Sequence, residues 1–151
     1  MASIERRLPD PEATERLGRR LAAVLPPGYV VFLRGDLGAG KTSVARGILR
    51  GLGVTGSVKS PTYTLIESYA LGEDRWVHHL DLYRLAEPGE LEWLGLRELF
   101  TDRNLVLIEW PERGEGALPA PDLTLVLTFD NGGRRAVLSG HDDDFLDKLK
   151  G

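Results

Sequence analysis

The chain has 151 residues and no cysteine, with 19 Lys and Arg against 23 Asp and Glu, a formal net charge of −4. That size suits one domain with a real core, and the absence of thiols excludes disulfides and thiolate metal sites. An acidic balance argues against a stand-alone nucleic-acid binder, and no apolar run approaches the ~18 residues of a membrane span. No secretory h-region opens the chain, so a soluble cytoplasmic protein is expected.

Ser3 to Leu8 is expected as a short edge strand. Asp10-Pro11 then reads as a helix start, an N-cap acid followed by proline at the first helical position. Leu17, Leu21, Val24 and Leu25 recur at helical spacing until Pro26-Pro27-Gly28 ends the element. Packing is the expected task of this helix, although the Leu8 to Pro11 loop, Pro11 included, is placed to lie over a bound base. Tyr29 to Leu33 is a β-branched and aromatic run that reads as a buried parallel strand.

The stretch that follows is Gly35-Asp36-Leu37-Gly38-Ala39-Gly40-Lys41-Thr42, which fits G-x-x-x-x-G-K-[ST] at each fixed position. Glycines let such a loop fold into a concave nest of N–H groups that faces an anion. Lys41 would reach the β- and γ-phosphates and the Thr42 hydroxyl would meet Mg²⁺, with Ser43 next to it in the first helical turn. Lys41 to Arg50 reads as a helix with Val44, Ala45, Ile48 and Leu49 on its apolar side and Gly51 as its stop. The helix dipole contributes only ~0.3–1 kcal/mol, up to ~2 when partly buried. Micromolar affinity requires about 8.2 kcal/mol, so Lys41, the metal and a base pocket must supply most of it.

Lys59 to Ile66 mixes a Ser60-Pro61 turn with strand-forming Tyr63, Leu65 and Ile66. Ser60, Thr62 and Thr64 have the chemistry of a hydroxyl-rich switch that orders around a γ-phosphate, and equally that of a plain turn and strand edge. Trp76 to Leu80 is another strand, with Asp81 at its carboxyl end, where open α/β sheets bind ligands. His78 and His79 do not make a zinc site: adjacent strand residues point to opposite faces, and the only other histidine is His141. One of the pair is expected to pack and the other to be solvated or hydrogen-bonded.

Pro88 to Phe100 is expected as one or two short helices interrupted at Gly95, with an acidic, solvated outer face. Leu105 to Ile108 followed by Glu109 has the form of a Walker-B strand, four apolar residues and an acid. A carboxylate at the mouth of a buried strand needs a cation or donors to offset its desolvation. Trp110 is placed to shield that site, dock a partner or simply pack. Leu123 to Phe129 and Arg134 to Leu138 flank Asp130-Asn131-Gly132-Gly133, a strong hairpin signal. Asp142 to Leu149 is a short helix or a frayed tail.

Four blocks together, GDLGAGKT at Gly35 to Thr42, SPTYTL at Ser60 to Leu65, HLDLYRL at His79 to Leu85 and EWPE at Glu109 to Glu112, resemble the TsaE (YjeE) family. That family is the small ATPase of tRNA threonylcarbamoyladenosine synthesis. The resemblance covers nearly the whole chain and implies a single P-loop domain over 1–151, with a mainly parallel sheet flanked by helices and a C-terminal antiparallel hairpin. It implies binding of ATP and Mg²⁺, weak hydrolysis in isolation, and work on a TsaB–TsaD complex that itself modifies the tRNA, so that tRNA is met only indirectly. It also implies that residues Gly35 to Ser43 bind nucleotide, that Lys41, Asp81 and Glu109 serve catalysis, and that Thr42, Glu109 and Asp81 serve the metal. Ser60 to Thr64 would be a switch. Pro11 of the amino-terminal loop and a hairpin arginine, Arg134 or its neighbour Arg135, would lie near the nucleotide.

Two further observations stand apart from the family. No Asn-Lys-x-Asp guanine signature occurs, which favours ATP over GTP, and no arginine finger is assignable in cis, which predicts slow hydrolysis alone. A small-molecule kinase with the same loop is the rival enzyme, although no arginine-bearing lid is visible between Ile66 and Leu105. A non-catalytic, nucleotide-gated binding module is the rival of another class, and a nucleic-acid motor fits neither the size nor the charge.

Overall fold

A computed structural model describes residues 2–61 and 64–150. Strands β1 (Ala2–Leu8), β2 (Val30–Gly35), β3 (Ile66–Gly72), β4 (Arg75–Asp81), β5 (Leu105–Glu109), β6 (Leu123–Asp130) and β7 (Gly133–Gly140) form one sheet in the order β1-β7-β6-β2-β5-β4-β3. Helices α1 (Pro11–Ala22), α2 (Lys41–Gly51), α3 (Glu90–Trp93) and α4 (Asp143–Leu149) complete it, with 3-10 turns at Leu96–Leu99 and Pro111–Gly114.

The sheet is evenly mixed rather than mainly parallel. Three pairings are parallel, β2 with β5, β2 with β6 and β4 with β5; the other three are antiparallel. The expected hairpin of β6 and β7 is one source of antiparallel pairing. A second hairpin joins β3 and β4, where the sequence pattern predicts a strand that ends at Ile66 instead of one that begins there. Leu65 takes φ 67°, so the chain turns there and the strand starts one residue later.

Period-two alternation divides the core between the two faces. Val31, Leu33, Leu105, Leu107, Leu123, Leu125 and Leu127 share one buried cluster with residues of α1, α2 and α4. Val30, Phe32, Leu80, Val106 and Ile108 pack on the opposite face with Leu91 of α3 and Leu96. α1 ends at Ala22, before Val24 and Leu25, because Pro26 disfavours helical backbone in the residue before it. Asp10 caps α1, its Oδ1 accepting from Ala13 N at 2.8 Å. The chain end is an ordered helix: Asp142 caps α4 and Phe145, Leu146 and Leu149 are buried.

α1 and α2 meet through glycine. A Cβ on Gly18 would run into Val44 O and lie 2.9 Å from Gly47 Cα, and one on Gly47 would run into Glu15 O. The two backbones therefore touch, which sets the depth at which α2, and with it the Lys41 end, sits against the sheet.

Candidate functional site

The carboxyl ends of β2, β5 and β4 lie side by side, and each delivers a functional segment to the same edge. β2 runs into the Gly35 to Thr42 loop. Ala39 N donates to Asp36 O at 3.0 Å, and Gly40 at φ 109° turns the chain into α2, a conformation that needs glycine. Asp36, Leu37 and Gly38 are exposed, whereas Ala39 is buried under the loop.

Strand register explains why the two acids meet. Asp81 pairs with Glu109 across the parallel β4 and β5, so their side chains leave the sheet on one face. That is the face that carries Leu105, Leu107 and α2. Glu109 is 2 % exposed, and its two carboxylate oxygens accept from Thr42 Oγ1 at 3.1 and 3.2 Å. His79, two residues before Asp81 and so on the same face, holds the same carboxylate through Nε2 at 2.6 Å. Asp81 Oδ1 accepts from Tyr83 N at 3.1 Å, which keeps the turn after β4 tight.

Lys41 is buried and donates to Gly35 O at 2.5 Å and to Asp36 O at 3.0 Å. Its Nζ also sits 4.3 Å from the centre of the Trp110 ring. Burial lowers the Lys41 pKa, and the Glu109 and Asp81 carboxylates oppose that shift. Trp110 is neither a simple packing residue nor fully exposed: it adopts left-handed backbone at φ 56°, uncommon for a bulky residue, and leans on Tyr83 at 4.9 Å.

These groups surround a cavity of about 440 Å³, with Lys41, Thr42, Asp81, Glu109, Tyr83 and Arg84 in its walls. A second cavity of about 250 Å³ lies on the other side of the loop, lined among others by Asp10, Pro11, Thr14, Ala39 and Arg134. Gly38, Gly40 and Ser43 line both, so the loop is a shared partition. The antiparallel pairing of β1 with β7, Leu8 opposite Arg134, brings the amino-terminal loop and the hairpin together. Arg134 donates to Ala39 O at 3.1 Å and to Gly38 O at 3.3 Å and lies 4.3 Å over the Phe129 ring. Arg135 turns instead toward Asp130, at 3.9 Å, which separates the two hairpin arginines.

Other expected residues stand elsewhere. Ser60 and Thr64 are exposed and are not among the residues lining either cavity; Thr64 Oγ1 donates to Glu67 Oε1 at 3.1 Å. Thr62 lies outside the described residues. The segment does touch the site through its backbone, since Asp81 N donates to Leu65 O at 3.0 Å. Both histidines are buried and hydrogen-bonded, so neither is solvated: His78 takes Ser68 Oγ at 2.7 Å and Asn104 Nδ2 at 3.3 Å, on the face opposite His79. Sequence reading overlooked His79 as the partner of Glu109, although the His-x-Asp spacing at 79 and 81 already places both on one face. It also assigned nothing to Tyr83 and Arg84.

The arrangement lines one cavity with a hydroxyl, two carboxylates and a lysine. Comparison with known proteins agrees with its motifs. The family model for the threonylcarbamoyl adenosine biosynthesis protein TsaE matches residues 8–137. The tRNA threonylcarbamoyladenosine biosynthesis protein TsaE of Haemophilus influenzae is 42% identical over 143 residues, 91% of this chain and 90% of that protein. Its namesake in Bacillus subtilis is 40% identical over 127 residues, 84% of this chain and 78% of the relative. The crystal structure of Bacillus subtilis YdiB superposes with a TM-score of 0.80 at 31% identity, covering 98% of this chain and 92% of that one.

Proposed function

The chain belongs to the TsaE family of tRNA threonylcarbamoyladenosine biosynthesis, and from there we propose that it is a Mg²⁺-dependent P-loop ATPase serving a TsaB–TsaD-type complex in the cytoplasm. The observation that carries this reading is the Thr42 hydroxyl set against both oxygens of Glu109, on the floor of a cavity that Lys41 enters. Burying a carboxylate so deeply is costly without a cation or donors to compensate. Thr42 Oγ1, Glu109 and Asp81 are hard oxygen donors of the kind Mg²⁺ takes, so the residues present fit that ion.

Bound there, Mg²⁺ would neutralise charge on the β- and γ-phosphate oxygens. The protein's own groups do the rest. Loop amides between Gly35 and Thr42 cradle the phosphates, and Lys41 exchanges its contacts with Gly35 O and Asp36 O for phosphate oxygens. Glu109 and Thr42 would hold the metal, while Asp81, one strand away, would orient the attacking water. That water's oxygen bonds the γ-phosphorus as the bridging P–O bond breaks. The bond's electron pair leaves on ADP, and the water's proton passes to solvent. The adenine enters the second cavity, whose lining includes Pro11, Thr14 and Arg134.

ADP and ATP would act through the complex, and tRNA would be met only there. The test is multiple-turnover formation of threonylcarbamoyladenosine on tRNA by a TsaB–TsaD pair. The wild-type chain should sustain turnover with ATP, and Lys41→Ala should leave it near the level without the chain. Equal support by the two proteins would exclude a role for the nucleotide.

A further inference from the structure

We propose that Arg84 is a catalytic residue that acts in cis on the γ-phosphate, an inference that rests on the ATPase reading above. Sequence alone offered no arginine for that task. The structure puts Arg84 in the wall of the cavity that holds Lys41, Thr42, Asp81 and Glu109.

The turn after β4 is built to present it. Leu82 N donates to Glu109 O at 3.1 Å and Leu85 N to Leu82 O at 3.0 Å. Leu82 and Leu85 are buried at 0% and 3% exposure, two anchors that leave Tyr83 and Arg84 between them facing the cavity. The Tyr83 ring is braced by Trp110, which also faces Lys41 Nζ, so this wall is tied to the loop across the site.

Charge and geometry then assign the role. The charged residues lining the cavity are Lys41, Arg84, Asp81 and Glu109. Arg84 and Lys41 are the two cations in that lining, and both face the space a terminal phosphate would take. Lys41 lies beyond the end of β2 and Arg84 beyond the end of β4, with β5 between them. The carboxyl end of β5, which carries Glu109, therefore lies between the strands that deliver the two cations. During hydrolysis charge spreads over the equatorial oxygens of the γ-phosphoryl group. A guanidinium offers those oxygens a planar fork and keeps its proton throughout. Arg84 is exposed, so a partner that covers this wall would meet it directly.

Single-turnover ATP hydrolysis and binding of ADP with aluminium fluoride test the idea on the wild type, Arg84→Ala and Arg84→Lys, with Lys41→Ala as blank. Expected is a fall in rate on the order of 10²-fold in Arg84→Ala. Affinity for ADP with aluminium fluoride should weaken in parallel, while ADP alone binds within about twofold of wild type; Arg84→Lys, which keeps charge but not the fork, should recover only part of the rate. Wild-type rates in both variants, or an equal loss of ADP and of the fluoride complex, overturn the role of Arg84 alone. A wild type no faster than the Lys41→Ala blank overturns the ATPase reading as well.

Discussion

Thr42 Oγ1 stands 3.1 and 3.2 Å from the two carboxylate oxygens of Glu109. One residue lies in the first turn of α2 and the other ends β5, so the contact joins the helix after the glycine loop to the sheet edge. Glu109→Gln should abolish the Mg²⁺ dependence of nucleotide binding while leaving the melting temperature nearly unchanged. His79→Phe removes the donor at 2.6 Å that aims this carboxylate, and should cost ~10–100-fold in Mg²⁺-supported hydrolysis. Metal titrations at fixed nucleotide measure both. If instead Asp81→Asn abolished the metal dependence and Glu109→Gln spared it, the two acids would exchange roles.

The hairpin arginines should separate cleanly. Arg134 reaches the loop carbonyls and lines the second cavity, whereas Arg135 forms an exposed 3.9 Å ion pair with Asp130. Loss of a charge-assisted contact at Arg134→Ala should weaken nucleotide binding about 10-fold or more. Arg135→Ala, at a pair worth ~0–1 kcal/mol to the fold, should leave affinity unchanged. Fluorescent-nucleotide displacement compares them directly.

Gly18→Ala tests the helix contact behind the loop. The added methyl meets Val44 O and Gly47 Cα, backbone that cannot move aside independently. Overpacking costs ~1–3 kcal/mol, against which better helix propensity returns at most ~1 kcal/mol. A melting temperature lowered by several degrees is expected, with weaker nucleotide binding because α2 is lifted from the sheet. An unchanged melt would show that the helices can separate freely.

Acid should destabilise the fold through His78. Burial holds its imidazole below the ordinary range. Asn104 Nδ2 faces its Nε2, and Asn104 cannot flip because its Oδ1 accepts from Trp76 N at 3.1 Å. The unfolded chain takes up the proton near pH 6.5 and the folded chain only below that. The stability tied to neutral His78 is therefore complete above about pH 6.5 and declines as pH falls toward the lower folded value. Urea midpoints of wild type and His78→Gln should converge on acidification through this window. Midpoints that stay parallel would mean that His78 does not titrate with unfolding.

Much of the site was readable because its signals are local. The glycine loop, the strand before it and the helix after it occupy one continuous stretch, and Asn131-Gly132 marks its hairpin without help from distant residues. Glu109 and Asp81 were legible as acids closing apolar strands. The β3–β4 hairpin was not, because the exposed edge strand Ile66–Gly72 interleaves Glu67 and Ser68 with small Ala70 and turns at Asp74, which takes φ 56° without an Asn-Gly pair. That omission made the sheet seem mainly parallel. The glycine contact between α1 and α2 and the place of Arg84 depend on how separate elements approach each other, which no single stretch encodes.

A triphosphate held by the Gly35 to Thr42 loop is the claim on which the rest depends. Isothermal titration of the wild-type chain with ATP and Mg²⁺ should give saturable heat for one site per chain, weakened without the metal and lost in Lys41→Ala. A folded wild-type chain that shows neither heat nor a thermal shift up to millimolar nucleotide would contradict it.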